Sequence, residues 1–308
     1  MLNLALAVVC SVAIGAIFKH TGATEVDRTA LLTVNYATAV GVAGLLMWAG
    51  GRSTDAGLVL SPGLLALGGS VGVLLIAGFF LLSYATEVAG MSLAVGVMRV
   101  SAVIPFLASW WVWHEVPSVA QGGGMGLAAC AFFLLAQKQR QAEPVPAGGA
   151  DVARDPSAGS VLGRVDWYAF GVLALTFIGG GSVDLSMKAF EEHFGAANSQ
   201  VLFLLLAFGM AFLIGGGIVG ARILRGQPWP SLRTVGWGVV LGVANYGSLE
   251  FLLRAVAELP GPFVFPANNI AIMVLSAGIG VFGWREQLTA KNKIGMGCAV
   301  VALVLLRL

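Results

Sequence analysis

"HEVPSVAQGGGMG" spans His114–Gly126, and "REQLTAKNKIGMG" spans Arg285–Gly297. Glu115, Gly124, Met125 and Gly126 match Glu286, Gly295, Met296 and Gly297, each 171 residues further on. Ser118 stands opposite Thr289, and Gln121 opposite Asn292. The second copy carries Arg285, Lys291 and Lys293, whereas the first carries no Lys or Arg. The repeat continues upstream, where "TEVAG" at 86–90 stands opposite "AELPG" at 257–261, again 171 residues away. Lys19 and Lys188 close two further apolar runs, 169 residues apart.

Composition explains the setting of these repeats. The chain is 58% hydrophobic and 10% charged, with a mean hydropathy of +0.89. A soluble domain carries about 25% charged residues, so too few are present here to coat a water-facing surface. The fold expected is an all-α integral membrane protein. A membrane span needs roughly 20 mostly apolar residues. Ten runs qualify: about 2–18, 30–50, 63–83, 91–113, 117–136, 167–187, 197–221, 233–253, 262–284 and 291–307. The Pro-, Gly- and Ala-rich stretch 137–164 reads as a flexible linker. It separates a first five-helix repeat, 1–136, from a second, 165–308. The repeat then relates helix one to six, three to eight, four to nine and five to ten; two and seven align by position.

Five is an odd number, so the second repeat enters the membrane from the opposite side. Ten spans as two inverted five-helix repeats is an architecture of secondary transporters. It accounts for the missing cations, because Lys and Arg collect in cytoplasmic loops and inversion puts equivalent loops on opposite sides. Twelve Lys and Arg residues fall in the loops of one side and four on the other. The expectation is a multi-pass protein of the plasma (inner) membrane, with both termini outside and the linker inside.

Other classes find little footing. The first apolar run has no preceding cation and no clear cleavage site, so it reads as a retained helix. Cys10, Cys130 and Cys298 lie inside apolar runs and read as small packing residues. No basic patch interleaved with aromatics appears, so nucleic acid is not an expected partner. No metal-spaced Cys or His, nucleophile elbow or phosphate loop appears, so neither enzyme chemistry nor a cofactor is expected. The glycine clusters 122–124, 179–181 and 215–217 read as sites of close helix packing. Trp110, Trp111, Trp113, Trp229 and Trp284 lie near span ends, where aromatic belts form.

The chain resembles the drug/metabolite transporter superfamily, in its ten-helix EamA-type branch. The resemblance rests on the Lys that ends the first helix of each half ("AIFKH", "LSMKAF"). It rests also on the Glu that ends each fourth helix ("WHE", "WRE"), and on Pro105 in "SAVIPFLASWW". It covers nearly the whole chain except the linker. The pattern departs from the family's in lacking a Trp-Gly pair in helix one, and Pro266 is not the repeat counterpart of Pro105. The resemblance implies carriage of amino acids, other small metabolites, drugs or sugar nucleotides through a cavity between the halves.

Arg99 is the sharpest single feature. It falls about eight residues into the fourth span, roughly 12 Å deep at ~1.5 Å per residue. A charge at the membrane centre costs about 2.5–3.5 kcal/mol on insertion scales. It either binds a carboxylate or phosphate with its planar fork or forms a structural ion pair. Tyr246, Glu250 and Arg254 share a face of helix eight, in line with Gly238 and Gly242. They line a cavity, or Glu250 and Arg254 merely pair at i,i+4. Asp184 and Lys188 have the same spacing and read as a structural pair near the helix end, with Asp184 also a candidate for a coupling proton or cation. Asn268 and Asn269 follow Pro266 and can both donate and accept. Asn35 and Tyr36 are candidate wall residues. Lys19 reads as an interface anchor, and Glu115 and Glu286 as helix-end caps or loop partners.

The function expected is therefore a secondary transporter of a small polar metabolite, amino acid-like or another organic anion or drug. Arg99, Asn268, Asn269, Tyr246, Asn35 and Tyr36 would contact the substrate. Glu250, Arg254, Asp184 and Lys188 would couple ions or pair. Both halves of the cavity lie in one chain, which suits a monomer in the lipid bilayer. A flippase for a lipid-linked sugar or phosphate, and a non-transporting membrane scaffold, are the alternatives.

Overall fold

The structure is a computed structural model that describes residues 1–22, 24, 26–49, 60–89, 91–136, 167–284 and 290–308. The linker and the Arg285–Glu286 pair lie outside the described residues, which are 88% helical with no strands. The helices are α1 (Leu2–Gly22), α2 (Arg28–Ala49), α3 (Pro62–Ala89), α4 (Met91–Val100), α5 (Val103–Trp111), α6 (Val119–Ala136), α7 (Trp167–Phe194), α8 (Gln200–Leu224), α9 (Leu232–Glu258), α10 (Gly261–Trp284) and α11 (Ala290–Arg307).

Eight described spans are long and apolar enough to cross a membrane. They are α1, α2, α3, the α4–α5 run, α7, α8, α9 and α10, as befits a multi-pass membrane protein. Two expected spans fall short of that mark. α6 contributes the shorter apolar stretch Val119–Phe132, and the 18-residue α11 carries Lys291, Lys293 and Arg307. Large apolar side chains face outward from several helices, among them Leu45, Leu213, Phe282 and Val304. A water-facing surface would not tolerate so much exposed hydrocarbon.

Local chemistry sets the helix starts. The "SVAQ" of the opening stretch is a reciprocal capping box. Ser118 Oγ accepts from the Gln121 N–H at 3.1 Å, and Gln121 Oε1 accepts from the Ser118 N–H at 3.0 Å. Two donors otherwise unpaired at the start of α6 are thereby satisfied. Asp27 caps α2, and Ser199 and Ser231 cap α8 and α9 in the simpler way.

The fourth span is not the continuous helix 91–113 that hydrophobicity suggests. It breaks at Ser101–Ala102 into α4 and α5. Pro105 is the reason: it has no N–H for the Ser101 carbonyl, and its ring clashes with that carbonyl in a regular helix. The Ser101 carbonyl instead accepts from the Ile104 N–H at 2.9 Å, in a tighter turn.

The main helix pairs are α1 on α9 and α10, α2 on α8 and α9, and α3 on α7 and α8. α4 packs on α6 and α7, α5 on α7 and α10, and α11 on α6 and α10. Glycines govern several of these approaches. A Cβ on Gly242 would lie 2.6 Å from the Asn35 carbonyl oxygen and from Thr38 Cβ, and one on Gly238 would lie 2.6 Å from Val34 Cβ. α9 therefore rests directly on the α2 backbone. Gly242→Val should lower thermal stability in detergent by about 1–3 kcal/mol, the ordinary cost of overpacking. Gly236 on the same helix is exposed with nothing within 4 Å of its Cβ position. Gly236→Ala should gain up to about 1 kcal/mol from helix propensity. Equal unfolding midpoints for the two variants would refute this account of the α2–α9 contact.

Candidate functional site

The break between α4 and α5 positions the site. Gly180 and Gly181 on α7 meet it directly: a Cβ on Gly180 would lie 2.8 Å from Ser101 Oγ, and one on Gly181 would overlap Ile104. α7 is thus drawn against the end of α4, where Arg99 sits. Asp184 follows one turn later on the same side of α7, within reach of the Arg99 charge. Asn269 on α10 completes the group. Its Oδ1 accepts from Arg99 Nη1 at 3.1 Å, and its Nδ2 donates to the Phe265 carbonyl at 3.1 Å. Arg99 and Asp184 are partly accessible, whereas Asn269 is buried. A guanidinium has five donors, and the bond to Asn269 uses one of them.

The expected pairing of Asp184 with Lys188 is not formed. Lys188, 2% exposed, instead bonds Glu115 Oε1 at 2.6 Å and Glu192 Oε1 at 2.5 Å. Glu115 arrives from the segment after α5, and its other oxygen accepts from the Gly261 N–H at 2.9 Å. It therefore caps α10, where the helix dipole favours a carboxylate. The Trp113 ring lies 5.9 Å from Lys188 Nζ. Beneath this knot is Ser109, fully buried, its Oγ without a hydrogen-bond partner. A local i,i+4 rule sees Asp184 and Lys188 on one helix face; it misses the carboxylate that another part of the chain delivers.

The other candidates are distributed. Tyr246 Oη donates to Glu250 Oε2 at 3.2 Å, and Arg254 donates to Glu250 Oε1 at 2.9 and 2.6 Å. Among the described residues no hydrogen bond or ion pair joins this α9 group to Arg99. Tyr36 and Tyr246 flank Phe208, each ring centroid 6.2 Å from it, inside the main apolar cluster. Asn35 and Asn268 are buried, and each Oδ1 lacks a protein partner. Lys19, at the end of α1, is exposed. The α1–α9 seam adds a feature that the sequence does not announce: Ser11 and Ser248 hydroxyls 2.6 Å apart. No sequence signal marks that pair, since isolated serines in apolar helices are common.

No family model matches the chain. It is 27% identical over 304 residues to a protein of Haemophilus influenzae described as uncharacterized, with 96% of this chain and 94% of that one covered. A solved crystal structure matches 100% of this chain and 97% of its own, with a TM-score of 0.70 and 15% sequence identity. At that identity the likeness is one of fold.

Proposed function

We propose that this chain is a secondary transporter that moves a small organic anion by alternating access, in the manner of the ten-span EamA-type transporters it resembles. The observation that carries the reading is the hydrogen bond from Arg99 to Asn269, with the Asp184 charge nearby. Arg99 comes from the first five-helix run, and Asn269 and Asp184 come from the second. Charged groups inside a membrane are costly and mark ion or substrate pathways. A discontinuous helix at membrane depth is tolerated where it lines a cavity.

The helix packing supports two inverted halves. Exchanging the first five spans with the last five turns α1–α9 into α7–α3 and α2–α9 into α8–α3. It turns α1–α10 into α7 on the α4–α5 run, and α4–α6 into α10–α11. Each of these is a packed pair. The Lys188–Glu115–Gly261 knot supports a state closed at that end, since it ties the first half to the second. Rocking of the halves would break the knot and open the site to the other side. In this reading the protein acts as a monomer in the inner membrane with both termini outside, and it catalyses no covalent chemistry.

A thermal-stability screen of the purified protein against small carboxylates and phosphates tests the reading. A ligand at a hundredfold excess over Kd stabilises by about 2.7 kcal/mol. At least one anion should stabilise the wild type and not Arg99→Met. Stabilisation of both to the same degree would place the binding site elsewhere.

A further inference from the structure

We propose that the cradle holding the Glu115 carboxylate is a second binding site, for a free monocarboxylate, and that Glu115 is its tethered occupant. Its role as a station of passage rests on the transport reading; its binding chemistry does not. Three helices build the cradle. Glu115 Oε1 accepts from Lys188 Nζ of α7 at 2.6 Å, and Oε2 accepts from the Gly261 N–H at the start of α10 at 2.9 Å. Ser109 of α5 supplies the third group. A Cβ on Gly261 would overlap Ser109 Oγ and lie 3.1 Å from Glu115 Oε2, so hydroxyl and carboxylate meet at one point. The Ser109 hydroxyl is fully buried, and among the described residues it has no hydrogen-bond partner. An ammonium, a helix-start N–H and a hydroxyl facing one spot match the two oxygens of a carboxylate.

The donors are fixed and the occupant is not. Lys188 is 2% exposed and Ser109 is fully buried, whereas Glu115 is 26% exposed. The mouth of the cradle therefore lies on the side from which Glu115 enters. All three donors belong to packed helices, but Glu115 stands on the non-helical stretch between α5 and α6. Its N–H bonds the Ser109 carbonyl at 3.0 Å, and the preceding His114 has φ 57°, a left-handed conformation uncommon outside glycine. The exchange balances in charge. One carboxylate leaves for water as Glu115 swings out, and one monocarboxylate enters. Glu192 keeps its bond to Lys188 throughout, since an ammonium has three donors. That retained negative charge disfavours a dianion in the cradle. Tethering gives Glu115 a high effective concentration, so a free ligand displaces it only by adding contacts that Glu115 lacks.

Acetate replaces the atoms that Glu115→Ala removes, and one amide reports on it. Pro62–Gly63 and Pro260–Gly261 are the two Pro-Gly steps in the sequence. Carbonyl-labelled proline with nitrogen-labelled glycine therefore gives two amide signals in a magnetic resonance spectrum, and Gly63→Ala assigns them. Relative to wild type, the Gly261 proton should move upfield in Glu115→Ala in chloride. It should return downfield, saturably, as acetate replaces chloride at constant ionic strength, and Gly63 should not follow. Glu115→Ala/Lys188→Met should need about tenfold more acetate or beyond, and Glu115→Ala/Ser109→Ala about threefold more, as expected for the lost hydrogen bonds. No return of the signal in Glu115→Ala, or an unchanged acetate dependence in either double variant, overturns the proposal. Where Glu115→Ala does not purify folded in chloride, acetate should restore it; failure to do so overturns the proposal equally. None of these readouts involves Arg99, so their failure leaves the thermal screen as an independent test of transport itself.

Discussion

Arg99→Met should destabilise the protein in detergent by about 2–3 kcal/mol at pH 8, the order of the loss when a charge-assisted hydrogen bond goes and its buried acceptor is stranded. The Asn269 Oδ1 loses its donor, and the nearby Asp184 carboxylate loses the Arg99 charge. Two consequences separate this from a packing defect. Asp184→Asn in the same chain should recover part of the loss, since it removes the stranded charge. Acidification should also shrink the difference, because a protonated Asp184 needs no partner: the variant gains relative to wild type as pH falls. Chemical denaturation of the four proteins of the cycle at two pH values reads both effects. Strict additivity at both would show that Arg99 and Asp184 do not act as a pair.

Glu115→Ala has the second large effect. Glu115 supplies a charge-assisted hydrogen bond to Lys188 and another to the Gly261 N–H. Hydrogen bonds to charged groups contribute about 1.5–3 kcal/mol each. Lys188 keeps Glu192, which limits the total loss to about 2–3 kcal/mol. Glu192→Ala should cost under about 1 kcal/mol, because its side chain is 36% exposed and the pair is an ordinary i,i+4 contact. The functional consequence is sharper than the energetic one. With the three native cysteines replaced, a Ser109→Cys reporter lies fully buried beneath the knot. A small membrane-impermeant thiol reagent should react slowly with it when Glu115 is present. It should react at least tenfold faster in Glu115→Ala. Equal rates would mean that the knot does not close that end of the molecule.

Much of the fold is legible in the sequence for clear physical reasons. Continuous apolar runs have few alternatives to membrane helices, and "SVAQ" satisfies the first turn of α6 by itself. Gly238 and Gly242 signal the close approach that α9 makes to α2. Hydrophobicity alone overextends the fourth span, because it does not weigh the carbonyl that Pro105 leaves without a donor. The site is legible in part. Arg99 and Asn269 stand out as costly polar residues in apolar segments, and their repeat positions are neighbours. The partner of Lys188 is hidden because spacing within α7 offers Asp184. The deciding facts are tertiary: Glu115 captures Lys188, and Gly180 and Gly181 bring α7 against the end of α4. Tyr36 and Tyr246 look like wall residues by polarity, yet their rings fill the apolar cluster around Phe208.

The most direct measurement is counterflow in proteoliposomes, using a radiolabelled form of the anion that stabilises the wild type in the thermal screen. The account predicts saturable accumulation of label into preloaded vesicles with wild-type protein, and background accumulation with Arg99→Met. Stabilisation of the wild type without counterflow would contradict transport and leave a membrane protein that binds the anion without carrying it.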